Sequence, residues 1–202
     1  MEVIKEASVD WSVASRARVG EEESGDRCVV AVQADGALLA VADGLGHGAQ
    51  AALAADLAVR TAESCAAESL TEIVKRCHQS LLRTRGVALS MARWNARDRV
   101  MSWIGVGNVE GLLLQMDGRG SPSSHRLVLR GGVVGVRLPA LQISTVEVKG
   151  TGLLIFATDG ITGGFDEGLD PSVQPQPLAD RILAKHSLAN DDATVLVARL
   201  GR

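Results

Sequence analysis

The stretch Leu38–Ala62, LLAVADGLGHGAQAALAADLAVRTA, enters a glycine-rich turn as an apolar run and leaves it as an alanine-rich segment of helical character. Two chemistries fit such a turn. Its backbone amides could cradle the pyrophosphate of a dinucleotide, or Asp43 at its mouth could hold a metal ion. Gly44-Leu45-Gly46-His47-Gly48 has the look of a dinucleotide-binding glycine pattern, in which a helix N-terminus faces phosphate. That pattern requires a strand after the helix and an acidic residue at its end. Here a second helix follows. Asp43 also stands directly before the first glycine, where its charge repels a phosphate unless a cation lies between them. The metal reading is therefore the one to pursue.

Working outward from the turn, Val29–Val32 and Ala37–Ala42 read as two strands. QADG joins them, with Asp35-Gly36 as the hairpin signal. Downstream, a helix is expected from about His47 to Ala66, with Leu53, Leu57, Ala58, Ala62 and Cys65 on one side. Ser69-Leu70-Thr71-Glu72 has the form of a capping box and opens a second helix, with Ile73, Val74, Cys77 and Leu81 on one face and Gly86 as its end.

Beyond Gly86 the period falls to two, or to short apolar runs. VALSMARW (87–94), RVMSWIGVG (99–107), VEGLLLQM (109–116), HRLVLR (125–130), LQISTVEV (141–148) and GLLIFAT (152–158) all read as strands. Turn material separates them: Asn95, Asp117-Gly118, Gly131-Gly132, Pro139 and Gly150. A short helix is expected near Leu178–His186 and a last strand at Thr194–Leu200. The segment 164–178 holds three of the five prolines and reads as an irregular connection or flap. This order lacks the βαβα alternation of a parallel sheet. It predicts an α+β fold with antiparallel sheets packed between helices.

The 202 residues suit one domain spanning 1–202, large enough to bury a core without staples. With no Tyr, two Phe and three Trp, that core must be mostly Leu, Val, Ile and Ala. The formal net charge of -3 and the lack of a basic run argue against a nucleic-acid partner. No apolar stretch is long enough to span a bilayer, and the opening MEVIKEASVDW has no signal-peptide core. A cytoplasmic monomer is expected. Three cysteines without a CxxC pair read as free, buried thiols.

Aspartates recur at strand ends. Asp26 precedes the first strand, Asp43-Gly44 ends the second, Asp159-Gly160 ends LLIFAT, and Asp191-Asp192 precedes ATVLVAR. At a common sheet edge these carboxylates would repel one another strongly unless divalent cations neutralised them. An all-oxygen ligand set selects hard ions, Mg²⁺ or Mn²⁺. Asp35 and Asp117 read as plain turn residues.

VADGLGHG, ATDGI and NDDATVLVAR, in that order, resemble the three signatures of the PP2C-like, metal-dependent serine/threonine phosphatases. DGLGHG resembles the bacterial SpoIIE branch. The short length, KRCHQSLLRTRG and GVGNVEG are similar to the RsbX-type stressosome phosphatases. The resemblance implies two antiparallel sheets sandwiched between pairs of helices, and two metal ions, Mn²⁺ or Mg²⁺. By motif, Asp43 bridges both ions and Gly44 offers its backbone carbonyl, with Asp26, Asp159 and Asp191 as further ligands. Asp43, Asp159 and Asp191 carry catalysis, and Asp192 stands behind them. The implied reaction is in-line attack of metal-activated water on phosphoserine or phosphothreonine, with no Ser or Cys nucleophile. The implied substrates are phosphorylated STAS-domain stressosome proteins, whose dephosphorylation resets a bacterial stress response. Two alternatives stay open: a phosphatase for another protein or a small phosphoester, and a catalytically silent binding module. Arg16 and Arg18 are candidate phosphate contacts. His47 is expected to make a structural hydrogen bond at the helix start.

Overall fold

In the computed structural model, which describes residues 9–116 and 122–201, the chain opens with strand β1 (Asp10–Arg16). The hairpin of β2 (Asp26–Gln33) and β3 (Gly36–Gly44) follows, then helices α1 (Ala49–Ser64) and α2 (Leu70–Ser80). Strands β4 (Val87–Asn95), β5 (Val100–Val106), β6 (Glu110–Met116), β7 (Pro122–Arg126), β8 (Leu129–Arg130), β9 (Ser144–Glu147) and β10 (Gly152–Ala157) come next. Helix α3 (Pro175–His186) and strand β11 (Ala193–Leu200) close the order. The expected Asp117-Gly118 turn and most of the opening segment lie outside the described residues.

Two sheets form. One runs β1-β11-β10-β6-β7 and the other β2-β3-β4-β5-β8, with β9 also on β5. Strand β3 shows why the sequence has continuous apolar runs instead of clean alternation. Its Ala37, Leu39 and Val41 pack between the sheets with Phe156 and Leu196, while Leu38, Ala40 and Ala42 pack under α1 and α2. Likewise Leu154 and Phe156 of β10 face the inter-sheet core, and Leu153, Ile155 and Ala157 face α3. A strand covered on both faces has no polar side to show. The α–β–β–α layering is the expected α+β sandwich.

The details differ from expectation at five places. First, β1 was not expected; DWSVASR is only weakly apolar, and it becomes a strand by pairing residue for residue with β11 from Asp10↔Arg199 to Arg16↔Ala193. Second, HRLVLR divides between the sheets, because Leu127 turns inward while Val128 is exposed. The short β8 then pairs with β5 in parallel, an exception to the antiparallel rule. Third, Leu53 faces solvent, at 65% exposure, instead of the core. The buried face of α1 is Ala51, Ala54, Ala55, Ala58 and Ala62, small residues that let the helix lie close on the sheet. Fourth, the outer layer over β1 and β11 is not a helix pair. Among the described residues it is α3 with the segment 161–173, which contributes Ile161, Phe165, Leu169 and Val173 to the same core. Fifth, the two-residue turn of the first hairpin is Ala34-Asp35, with Gln33 opposite Gly36. The Ser69 cap forms as expected, its hydroxyl accepting from the Glu72 amide at 3.3 Å. Cys65 and Cys77 are buried free thiols, and Cys28 is half-buried and free.

Candidate active site

The β2–β3 register sets Asp26 directly opposite Asp43 at one end of its sheet. Asp159 leaves the end of β10 in the other sheet, and Asp191-Asp192 lead into the neighbouring β11. Packing the sheets face to face brings these ends together. The Thr158 hydroxyl donates to Asp26 Oδ2 across the sheets at 2.8 Å, and the Thr194 amide donates to that hydroxyl at 2.9 Å. Asp192 accepts the amides of Arg18 and Gly25, each at 2.9 Å, and Gly25 in turn accepts the Gly44 amide at 3.1 Å. Two glycines permit this closeness. A Cβ on Gly44 would stand 2.1 Å from the Ala51 carbonyl oxygen, and one on Gly160 would stand 1.9 Å from that of Asp192.

Asp43, Asp159 and Asp191 line a cleft of about 350 Å³, joined by Arg18, His47, Asn108 and Asn190. Asp26 and Asp192 are buried behind it. Burial first, then the charges of Asp26, Asp159, Asp191 and Asp192, push the Asp43 carboxyl up to about 8. Burial pushes Asp26 up to about 7, against the Thr158 hydrogen bond, with Asp192 and Asp159 adding to the rise. Asp159 is raised by burial and by Asp191. The molecule thus gathers carboxyls that resist ionising together, as a cation site requires.

Among the described residues, no three His, Cys, Asp or Glu side chains enclose an ion by themselves. The oxygen-only donors fit a hard cation that keeps part of its water shell, the habit of Mg²⁺. A larger hollow of about 690 Å³ lies on the outer helix pair around Thr61, Glu68 and Arg76. It contains none of the cleft's aspartates.

A consequence for stability follows from the raised carboxyls. In metal-free protein, Asp43 and Asp26 hold protons in the folded state that they release in the unfolded chain above pH ~4. The folded state then binds more protons, so stability falls as pH rises from about 4 through 8. Melting midpoints in EDTA are expected to drop by several degrees between pH 5.5 and 8.5, with ~2–4 °C for each kcal/mol lost in a chain of this size. A flat profile would mean that the acids are not crowded.

Other sequence candidates resolve individually. Arg16 does not face the cleft; its Nη2 donates to the Leu188 carbonyl at 2.5 Å. Arg18 does line it. His47 makes the expected structural bond, its Nδ1 lying 2.6 Å from Glu21 Oε1. Asn108, Thr158 and Asn190 were not singled out from the sequence. Asn108 Nδ2 donates to Asp159 Oδ2 at 2.6 Å from the turn between β5 and β6. Its place in GVGNVEG, a stretch similar to the RsbX-type phosphatases, is the signal in the sequence that points to it.

Residues 33–201 match the stage II sporulation protein E (SpoIIE) family. The phosphoserine phosphatase RsbX of Bacillus subtilis (strain 168) is 28% identical over 142 residues, covering 70% of this chain and 69% of that protein. A solved structure from work on "the bacterial stressosome: a modular system that has been adapted to control secondary messenger signaling" superposes with a TM-score of 0.85. Its identity is 29%, over 95% of this chain and 99% of that one. The crystal structure of RsbX in complex with magnesium superposes at 0.84, with 23% identity over 96% of each chain.

Proposed function

This chain belongs to the SpoIIE family of PP2C-fold phosphatases, and from that premise we propose that it is a metal-dependent protein serine/threonine phosphatase of RsbX type. The observation that carries the reading is the convergence of Asp26, Asp43, Asp159, Asp191 and Asp192 from both sheets at one cleft. A silent binding module would have no use for so costly a cluster of acids. In this reading residues 1–202 are one phosphatase domain, monomeric and cytoplasmic. Its substrates are phosphorylated STAS-domain stressosome proteins, and its turnover resets a stress response. The similarity to RsbX and to a stressosome-related structure supports that choice over a small phosphoester. Among the described residues, no helix is long and apolar enough to cross a membrane.

Asp43, with the Gly44 carbonyl, Asp26, Asp159 and Asp191, would hold two Mn²⁺ or Mg²⁺ ions. Bound there, such ions lower the pKa of water and neutralise charge on phosphoryl oxygens. The chain's own residues do the rest. Asn108 fixes the rotamer of Asp159 through its 2.6 Å hydrogen bond. Thr158 pins Asp26, and the Arg18 and Gly25 amides pin Asp192. Arg18, half-buried in the cleft wall, offers a guanidinium to the incoming phosphate.

The test is the initial rate on p-nitrophenyl phosphate and on a phosphoserine STAS-domain protein, each with Mn²⁺. Turnover of both, with the protein far preferred, is expected; no turnover of either would sink the reading. Arg18→Ala is expected to raise KM for the phosphoprotein about tenfold with a smaller loss in kcat, since it removes binding of the phosphate group. An unchanged KM would take Arg18 out of the phosphate site.

A further inference from the structure

One lip of the cleft continues into a surface that turnover of a phosphate group alone does not require. Three segments build it: the glycine turn 45–48, the connection 81–86 after α2, and the hairpin-like loop 133–137. Backbone hydrogen bonds lock them together. The Leu45 amide donates to the Gly86 carbonyl at 3.0 Å, and Val87 and Val134 exchange amide-to-carbonyl bonds at 2.9 Å each. The Val133 and Arg137 backbones close the loop on themselves, and the Gly135 amide donates to His78 Nδ1 at 2.8 Å. Leu81 packs beneath, so that a Cβ on Gly135 would stand 2.6 Å from the Leu81 Cβ. This lip is a fixed extension of the site.

What it presents is apolar and cationic. Val136 is 62% exposed, Leu82 55% and Leu45 38%. Val136 reaches back toward Gly86, where an added Cβ would meet its Cγ2 at 3.0 Å. The Arg85 guanidinium lies over Gly46, its Nη1 2.7 Å from where a Cβ there would stand. Arg83, Arg85 and Arg137 are exposed, and among the described residues none of them forms an ion pair. Unpaired guanidinium groups beside exposed aliphatic side chains, on the rim of an acidic cleft, suit an acidic, leucine-bearing polypeptide.

We propose that the lip formed by Leu45, Leu82, Arg85, Val136 and Arg137 docks the chain of the phosphoprotein substrate, taking acidic and aliphatic residues that flank the phosphoserine. This deepens the phosphatase reading and rests on it. The surface gives the cleft a means to select among phosphoserines that present the same phosphate. It also supplies attraction for acidic residues that flank the phosphate and lie outside the cleft itself.

The probes are two phosphoserine peptides of equal length, one flanked by glutamates and leucines, the other by glycines and serines. Wild-type protein with Mn²⁺ is expected to favour the first by about tenfold in kcat/KM. In Arg85→Glu and in Val136→Ser that preference collapses toward unity, while p-nitrophenyl phosphate turnover stays within about twofold. Equal use of the two peptides by the wild type, or a preference that survives both variants, overturns the proposal. So does an equal loss on p-nitrophenyl phosphate, which would make the lip merely structural. Sedimentation that shows a dimer abolished by Val136→Ser would assign the surface to a second copy instead and overturn it as well. If no phosphoester is hydrolysed at all, the phosphatase reading has failed. Fluorescence anisotropy of the labelled acidic peptide then still reads the lip directly: binding weakened about tenfold by Arg85→Glu upholds it, and no binding sinks it.

Discussion

Asp43→Asn is expected to lower phosphoserine turnover a thousandfold or more while leaving the fold intact. Asp43 ends β3 opposite Asp26, half-buried, with the Gly44 backbone packed against Ala51 so tightly that the strand end cannot shift to compensate. Its carboxyl is pushed up to about 8, first by burial and then by the charges of Asp26, Asp159, Asp191 and Asp192. An amide in its place offers a single neutral oxygen where two anionic ones converged, so hard cations bind weakly or apart. Charge neutralisation at the phosphoryl group and the lowered pKa of water both depend on those cations. A barrier higher by ~4 kcal/mol or more corresponds to a thousandfold or more in rate.

Folding is not expected to suffer, because Asn is nearly isosteric and is neutral without taking up the proton that the crowded Asp43 carboxyl holds in metal-free protein. Metal-free Asp43→Asn is expected to melt slightly above metal-free wild type. Asp35→Asn serves as the control. It sits in the Ala34-Asp35 turn at the far end of the hairpin, where its backbone carbonyl accepts the Ala96 amide whatever the side chain. Near-normal activity is expected there. The measurement is initial rate on a phosphoserine protein, with circular dichroism to confirm folding. A folded Asp43→Asn protein with near-wild-type rates would remove this aspartate from the chemistry.

Stripping divalent metal is expected to abolish turnover and lower the melting point together. The buried Asp26 and half-buried Asp43 and Asp191 leave carboxyls facing one another with no Lys or Arg ion pair to relieve them among the described residues. A cation that binds only the folded state stabilises it by ~2.7 kcal/mol at ~100 times its dissociation constant. That translates to ~5–10 °C in midpoint for a chain of this size. Adding Mn²⁺ or Mg²⁺ back should restore both the rate and the midpoint. Zn²⁺ prefers nitrogen and sulfur ligands and should serve poorly with an oxygen-only set. Full activity in a rigorously metal-free preparation, or a midpoint indifferent to saturating metal, would exclude a metal centre at this cleft.

Much of the layout was legible along the chain because it depends on local periodicity and punctuation. The apolar runs on either side of Asp35-Gly36, the Ser69 cap and the apolar run of β11 each encode their own element, whereas Pro175 and Pro177, expected in an irregular connection, form the first turn of α3. The aspartates were legible too, since each sits next to a turn residue at a strand end. What escaped the sequence was set by partners distant in the chain. β1 is a strand only because β11 lies beside it. Leu53 is exposed because α1 buries its alanines, which no count of apolar residues distinguishes from a leucine face. HRLVLR splits because the two sheets claim its two ends.

The sequence alone determined most of the strands and helices in their order and set the candidate acids beside turn residues at strand ends, since patterning and turn chemistry are properties of neighbouring residues. Only the tertiary structure decided which groups meet. Thr158 reaches Asp26 across 132 positions, the Arg18 amide reaches Asp192 across 174, and Asn108 holds Asp159 while Arg16 is spent on Leu188. Those pairings depend on how two sheets are stacked and on glycines that let strand ends approach within the width of a side chain. They are properties of the packed molecule, and no stretch of the sequence contains them.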